Sequence, residues 1–172
     1  MTRTRAFLVV SLISLLPVVS AAQPKEGEWE LTLTGSGSNN NDFDAGGFGA
    51  SGSIGYFLTE DFELLLRQSF IFANSDEESG AYAASSRIAA DYHIDLGRFR
   101  PFIGANLGIA YGNEIDETGF AAPEVGAKFY VKEQTFLFAL AEYQFFFEDA
   151  SDADEAFDDG QFVYSIGIGF SW

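Results

Sequence analysis

The sequence predicts an all-β fold: a transmembrane, antiparallel up-and-down β-barrel of eight strands around a closed, narrow lumen. Three observations lead there. Eight segments alternate apolar and polar or small residues with a period of two, the signature of a strand with two unlike faces. The connections between them are alternately long and short, as in a barrel whose hairpins differ at its two ends. On the apolar face the aromatic residues gather near segment ends and the aliphatic ones lie between.

Residues 1–22 are set apart as a cleaved signal peptide, leaving 23–172 as one barrel domain. Arg3 and Arg5 form a basic start, residues 6–19 an apolar run, and Ser20, Ala21 and Ala22 the small residues of a cleavage site after Ala21 or Ala22. The run is shorter than the roughly 20 residues of a spanning helix. Export across an inner membrane follows.

The first strand, 28–37, sets Trp29, Leu31 and Leu33 against Glu28, Glu30, Thr32 and Thr34. In 47–58, Phe48, Ala50, Ile54, Tyr56 and Leu58 oppose Gly49, Ser51, Ser53, Gly55 and Phe57. The third, 62–72, opposes Phe62, Leu64, Leu66, Phe70 and Phe72 to Glu63, Arg67 and Ser69. In 81–94, Tyr82, Ala84, Ile88, Ala90, Tyr92 and Ile94 oppose Ser85, Arg87, Asp91 and His93.

The fifth, 100–111, has Ile103, Ala105, Leu107, Ile109 and Tyr111 opposite Gly104, Asn106 and Gly108. In 121–131, Val125, Ala127, Phe129 and Val131 oppose Glu124, Gly126, Lys128 and Tyr130. The seventh, 135–148, has Leu137, Ala139, Ala141, Tyr143, Phe145 and Phe147 opposite Glu142 and Gln144. There Phe136, Phe138, Leu140 and Phe146 blur the alternation, and a buried helix is the alternative. The eighth, 161–172, is the cleanest: Phe162, Tyr164, Ile166, Ile168, Phe170 and Trp172 oppose Ser165, Gly167, Gly169 and Ser171. The long polar connections are 38–46, 73–80, 112–119 and 149–160. The short ones are 59–61, 95–99 and 132–134, which puts both chain ends at the short-turn end.

Composition narrows the function. With 9 Lys and Arg against 26 Asp and Glu in 172 residues, the formal charge is −17. This excludes a nucleic-acid binder, which needs a basic face. The absence of Cys removes disulfides, thiolate metal sites and thiol nucleophiles. The 19 Phe and 18 Gly stand beside a mean hydropathy of only +0.04, as expected of strands with one apolar and one small or polar face.

The apolar face is expected outward, in lipid. Trp29, Tyr56, Phe62, Tyr92, Phe129, Phe170 and Trp172 fall near the short-turn end. Phe48, Phe70, Phe72, Tyr82, Tyr111, Phe145, Phe147, Phe162 and Tyr164 fall near the other. Two aromatic girdles around an aliphatic belt suit a chain crossing two water interfaces, whereas a soluble core has no reason to sort aromatics by depth. The inward face is then mostly Gly, Ser and Ala with a few charges, filling an eight-stranded lumen.

The terminal FVYSIGIGFSW, with RPFIGANLGIAYG (100–112) and PEVGAKFYV (123–131), resembles the small eight-stranded outer-membrane β-barrel superfamily, the group of OmpA-, OmpX- and OmpW-like barrel domains. The likeness covers 23–172. It implies a place in the outer membrane of a Gram-negative bacterium, in contact with its lipid and lipopolysaccharide. It also implies that Tyr164, Ile166, Ile168, Phe170 and Trp172 form the C-terminal signal read by the outer-membrane assembly machinery. That superfamily mixes structural, adhesive, transport and porin-like roles.

Eight charges fall on the inward face: Glu30, Glu63, Arg67, Arg87, Asp91, Glu124, Lys128 and Glu142. Arg67 and Arg87 lie mid-strand on neighbouring strands and need carboxylates between them. An ion-pair network that closes the lumen is the expectation, and a gate is the sharper alternative. His93, the sole histidine, falls at the short-turn end. It reads as an interfacial polar residue; with Asp91 two residues away, a base and its orienting acid is the rival reading. Residues 47–52 match G-x-G-x-x-G, but a loop precedes them and alternation follows, so no dinucleotide site is expected. The acids of the long connections (Asp76, Glu77, Glu78, Glu114, Asp116, Glu117, Asp149, Asp152, Asp154, Glu155, Asp158 and Asp159) lack EF-hand spacing and read as a solvated crown; divalent-ion bridging to lipopolysaccharide is the alternative.

The sequence therefore points to a monomeric, non-enzymatic barrel without cofactor, structural or surface-interacting. A narrow channel or carrier for small or hydrophobic molecules is the second reading, and a lipid-modifying enzyme the third.

Overall fold

A computed structural model describes residues 24–39, 46–74, 79–113, 117–147 and 160–172. The expected signal peptide, most of the long connections and nearly all of their acids lie outside the described residues. Eight strands follow in order: β1 (Trp29–Asn39), β2 (Gly46–Phe57), β3 (Phe62–Asn74), β4 (Ser79–His93), β5 (Phe99–Gly112), β6 (Thr118–Lys132), β7 (Thr135–Phe147) and β8 (Gln161–Ser171). Each is antiparallel to its neighbours, and β8 returns to β1, closing the barrel. Among the described residues there is no helix.

The short turns have identifiable chemistry. Between β2 and β3, the Thr59 hydroxyl accepts from the amides of Asp61 and Phe62 at 3.3 and 3.0 Å. Between β4 and β5, Asp95 Oδ1 accepts from the Gly97 amide at 2.8 Å, and Gly97 takes φ +78°, a conformation open to glycine. Between β6 and β7 only two residues intervene, Thr135 being paired with Lys132. At the same end Trp29 and Trp172 exchange both backbone hydrogen bonds, at 3.0 and 2.9 Å, and complete the seam.

The apolar faces point outward. Leu66, Ile88, Ile103, Leu107 and Ile166 are 58–72% exposed around the middle of the barrel. Toward the short-turn end Trp29, Tyr92, Phe129, Phe170 and Trp172 are exposed; toward the other end, Phe48, Phe72, Tyr82, Phe162 and Tyr164. A continuous apolar belt of this kind is stable only against lipid. Closure satisfies the backbone where no water is available.

β7 is a strand throughout. Phe136, Phe138 and Leu140 blur its alternation because its inward face is apolar as well. They pack with Phe102 and Tyr130 into the buried cluster of the lumen. The inward face is accordingly more than Gly, Ser and Ala with a few charges: Phe57, Phe102, Phe120 and Phe136 are each no more than 4% exposed. Small residues make room for these large ones. A Cβ on Gly169 would overlap the Phe136 ring.

Candidate functional site: the filled lumen

Alternation sends every second side chain inward, so the lumen charges are placed by strand register. Glu30, Glu63, Arg67, Arg87, Asp91, Glu124, Lys128 and Glu142 are all buried. They form two groups at different depths.

The mid-barrel group is built on Arg67 and Arg87, which are direct register partners across β3 and β4. Their carboxylates come from the far wall, β6 and β7, where Glu124 and Glu142 are themselves partners. Arg67 donates to both oxygens of Glu124, at 3.1 and 3.3 Å. Arg87 Nη1 donates to Glu142 Oε1 at 2.6 Å, and Arg67 lies 3.5 Å from Glu142 Oε2. Asn106 Nδ2 joins the two acids, donating to Glu124 at 2.5 Å and to Glu142 at 3.2 Å. Gln144 Nε2 also donates to Glu142. Arg87 rests on the Phe120 ring, 5.4 Å from its centroid. Asp91 lies above Gly104, where a Cβ would overlap its carboxylate.

The second group lies toward the short turns and centres on Lys128. Its ammonium donates to Glu30 Oε1 at 2.5 Å and to Glu63 Oε2 at 2.8 Å. The rings of Phe57, Phe102 and Phe136 surround it at 5.0–5.9 Å, a cation held by two carboxylates and three aromatic faces. Arg100, absent from the expected network, is also buried; its Nη2 donates to the Glu60 carbonyl at 2.8 Å and meets Asp61 at 3.3 Å.

His93 is not an interfacial residue. It is 1% exposed, between the rings of Phe57 and Phe102. Its Nε2 meets Glu63 at 3.0 Å, so its carboxylate partner is Glu63. Glu63, Asp91 and His93 bring potential ligand atoms within 4.8 Å of one another. The place of a cation there is taken, however, because the Lys128 ammonium binds the same Glu63 oxygen. Residues 47–52 lie wholly within the β2 region, with no helix after them to bind a dinucleotide.

Above the mid-barrel group, toward the long connections, lies a cavity of about 560 Å³ floored by Arg67, Arg87 and Glu142. The lumen is thus plugged in its short-turn half and hollow in the other. The aromatic plug was hard to see in the sequence because Phe102 precedes Gly104, Asn106 and Gly108 on a face that otherwise reads as small or polar and Phe136 blurs the alternation of its segment; only Phe57 was read on the inward set. Glycines across the barrel wall were the available signal: Gly126 leaves room for Phe102, and Gly167 and Gly169 for Phe138 and Phe136.

A closed eight-stranded barrel with an apolar exterior and a charged, half-plugged lumen defines the class: the fold is that of the small outer-membrane β-barrels. Among solved structures, the N-terminal β-barrel domain of Pseudomonas aeruginosa OprF is similar with a TM-score of 0.60 at 22% identity, over 86% of this chain and 98% of that one. Neisserial surface protein A is similar at 0.58 and 15%, over 83% and 94%. OprG, an outer-membrane protein of P. aeruginosa, is similar at 0.55 and 11%, over 88% and 99%. No protein-family model matches the chain, and no curated protein matches its sequence.

Proposed function

We propose that this chain is a monomeric, non-enzymatic barrel of the bacterial outer membrane, exported by its signal peptide, with a structural or surface-interacting role. One observation carries the reading: the outward belt is made for lipid, while the short-turn half of the lumen is filled by Lys128, its two carboxylates and three phenylalanines. A barrel plugged in this way offers its exterior and its long connections. The acids of those connections read as a solvated crown, with divalent-ion bridging to lipopolysaccharide as the alternative, and the terminal strand from Tyr164 to Trp172 is read during assembly. Burial of His93 between two rings, against Glu63, speaks against a hydrolytic role at the lipid surface.

Protease added to intact cells tests the placement. Cleavage is expected only in 38–46, 73–80, 112–119 or 149–160; cleavage at 95–99 or 132–134 overturns it. Deleting Trp172 is expected to leave uninserted periplasmic chain, whereas Ser171→Ala inserts normally. In planar bilayers the wild-type chain is expected to show no steady conductance. A steady open level establishes the channel reading instead.

A further inference from the structure

The cavity in the long-loop half has a composition that selects a ligand. Its lining is divided: Phe120, Phe138, Leu140 and Phe146 make one side apolar, while Thr32, Thr34, Ser51, Ser69 and Ser85 give the side formed by β1 to β4 a row of hydroxyls. Its volume, about 560 Å³, is that of a small-molecule pocket. Its floor is charged but paired: the guanidiniums of Arg67 and Arg87 meet the carboxylates of Glu124 and Glu142. The two guanidiniums on the lining disfavour a cation, and 26 acids against 9 bases make the chain unattractive to anions.

Two hydroxyls on this lining are oriented by the floor. Ser69 and Ser85 are register partners on β3 and β4. Arg87 Nη2 donates to the Oγ of each, at 2.8 and 3.3 Å. A hydroxyl that accepts from a guanidinium turns its own hydrogen away from it. Both serines line the cavity, so they supply an adjacent pair of O–H donors on its hydroxyl-bearing side.

We propose that this cavity is a binding site for a small uncharged molecule with an apolar body and one hydrogen-bond-accepting oxygen, such as a ketone or ester, seated on Ser69 and Ser85. The plug below it makes the site a dead end, entered and left from the long-loop side. The proposal goes beyond the structural role above and is independent of it.

The test uses the full chain in lipid nanodiscs, with empty nanodiscs measuring partition into lipid. Fluorine NMR follows 4-fluoroacetophenone, 4-fluorotoluene and 4-fluorobenzoate. The ketone is expected to bind saturably, about tenfold tighter than the toluene, the worth of one or two hydrogen bonds. Ser69→Ala with Ser85→Ala is expected to remove that advantage and leave the toluene unchanged. Ala110→Phe, or Ser165→Leu if the former does not insert, fills the cavity and abolishes binding of both. Non-saturable uptake equal to empty nanodiscs overturns the site. Saturable binding that the filling variants leave intact overturns its location. Benzoate binding as tight as the ketone overturns the ligand class.

Discussion

Arg67 and Arg87 face each other directly across the β3–β4 ladder, and Glu142, from the opposite wall of the barrel, lies within 2.6 Å of one and 3.5 Å of the other. Two like charges in adjacent register would repel. They are tolerated because β6 and β7 return Glu124 and Glu142 to the same depth. The pair ties together strands that share no backbone hydrogen bond, so it braces the barrel across its diameter.

Removing that brace has a defined cost. Glu142→Gln leaves Arg87 without its carboxylate and is expected to destabilise the barrel by about 3–5 kcal/mol, less where the cavity admits water. Arg87→Gln in the same chain is expected to restore part of the loss, since the two sites share one network. Urea unfolding from lipid vesicles measures both. Equal stability of Glu142→Gln and wild type would sink this account.

Lys128 is the second brace. Lys128→Met keeps the volume but leaves Glu30 and Glu63 facing each other without a cation, and a loss of about 3–5 kcal/mol is expected. Adding Glu30→Gln and Glu63→Gln is expected to recover much of it. Recovery of stability only by a positively charged replacement would instead assign the cost to the aromatic cage.

Glycine positions give a paired test of lumen packing. Gly169→Ala would push a Cβ into the fully buried Phe136 ring and is expected to cost about 1–3 kcal/mol. At Gly35 a Cβ meets nothing within 4 Å, so Gly35→Ala is expected to be neutral within about 0.5 kcal/mol. Unfolding midpoints of the two variants are compared in one lipid. Equal losses would show that backbone freedom, not the ring, sets the cost.

The lipid face is tested by charge. Leu66, 58% exposed between Ile54 and Ile88, sits mid-belt. Leu66→Arg is expected to cost about 2–4 kcal/mol in a bilayer, as for a cation near the midplane of a barrel's outer surface. A water-facing Leu66 would tolerate the change, so an unchanged unfolding free energy in vesicles argues for the opposite face.

Most of the architecture was legible because a period of two is a local property: each segment states its two faces without reference to the rest of the chain. The inward charges were legible for the same reason. What escaped depended on neighbours. In β7, Phe136, Phe138 and Leu140 gave no contrast with Leu137 and Ala139, and only the closed barrel shows which set looks inward. His93 looked interfacial by position, yet the rings of Phe57 and Phe102, on other strands, bury it. Asn106 looked like an ordinary small polar residue; its role as the link between Glu124 and Glu142 arises from the return of β6 and β7 to the same level.

The seam between β1 and β8, where Trp29 and Trp172 trade backbone hydrogen bonds, bears on how the molecule keeps company. A sheet with a free border invites recruitment: another chain can dock as an extra strand, and stacking of that kind ends in fibres. Here the border is used up along Glu30–Gly35 against Ile166–Ser171, the part of the seam nearest the short turns. Along that stretch neither an extended peptide nor a second copy can add a strand. Association there must therefore be written in side chains, and the hazard of uncontrolled strand-sharing along it belongs to the interval before that last pairing is made.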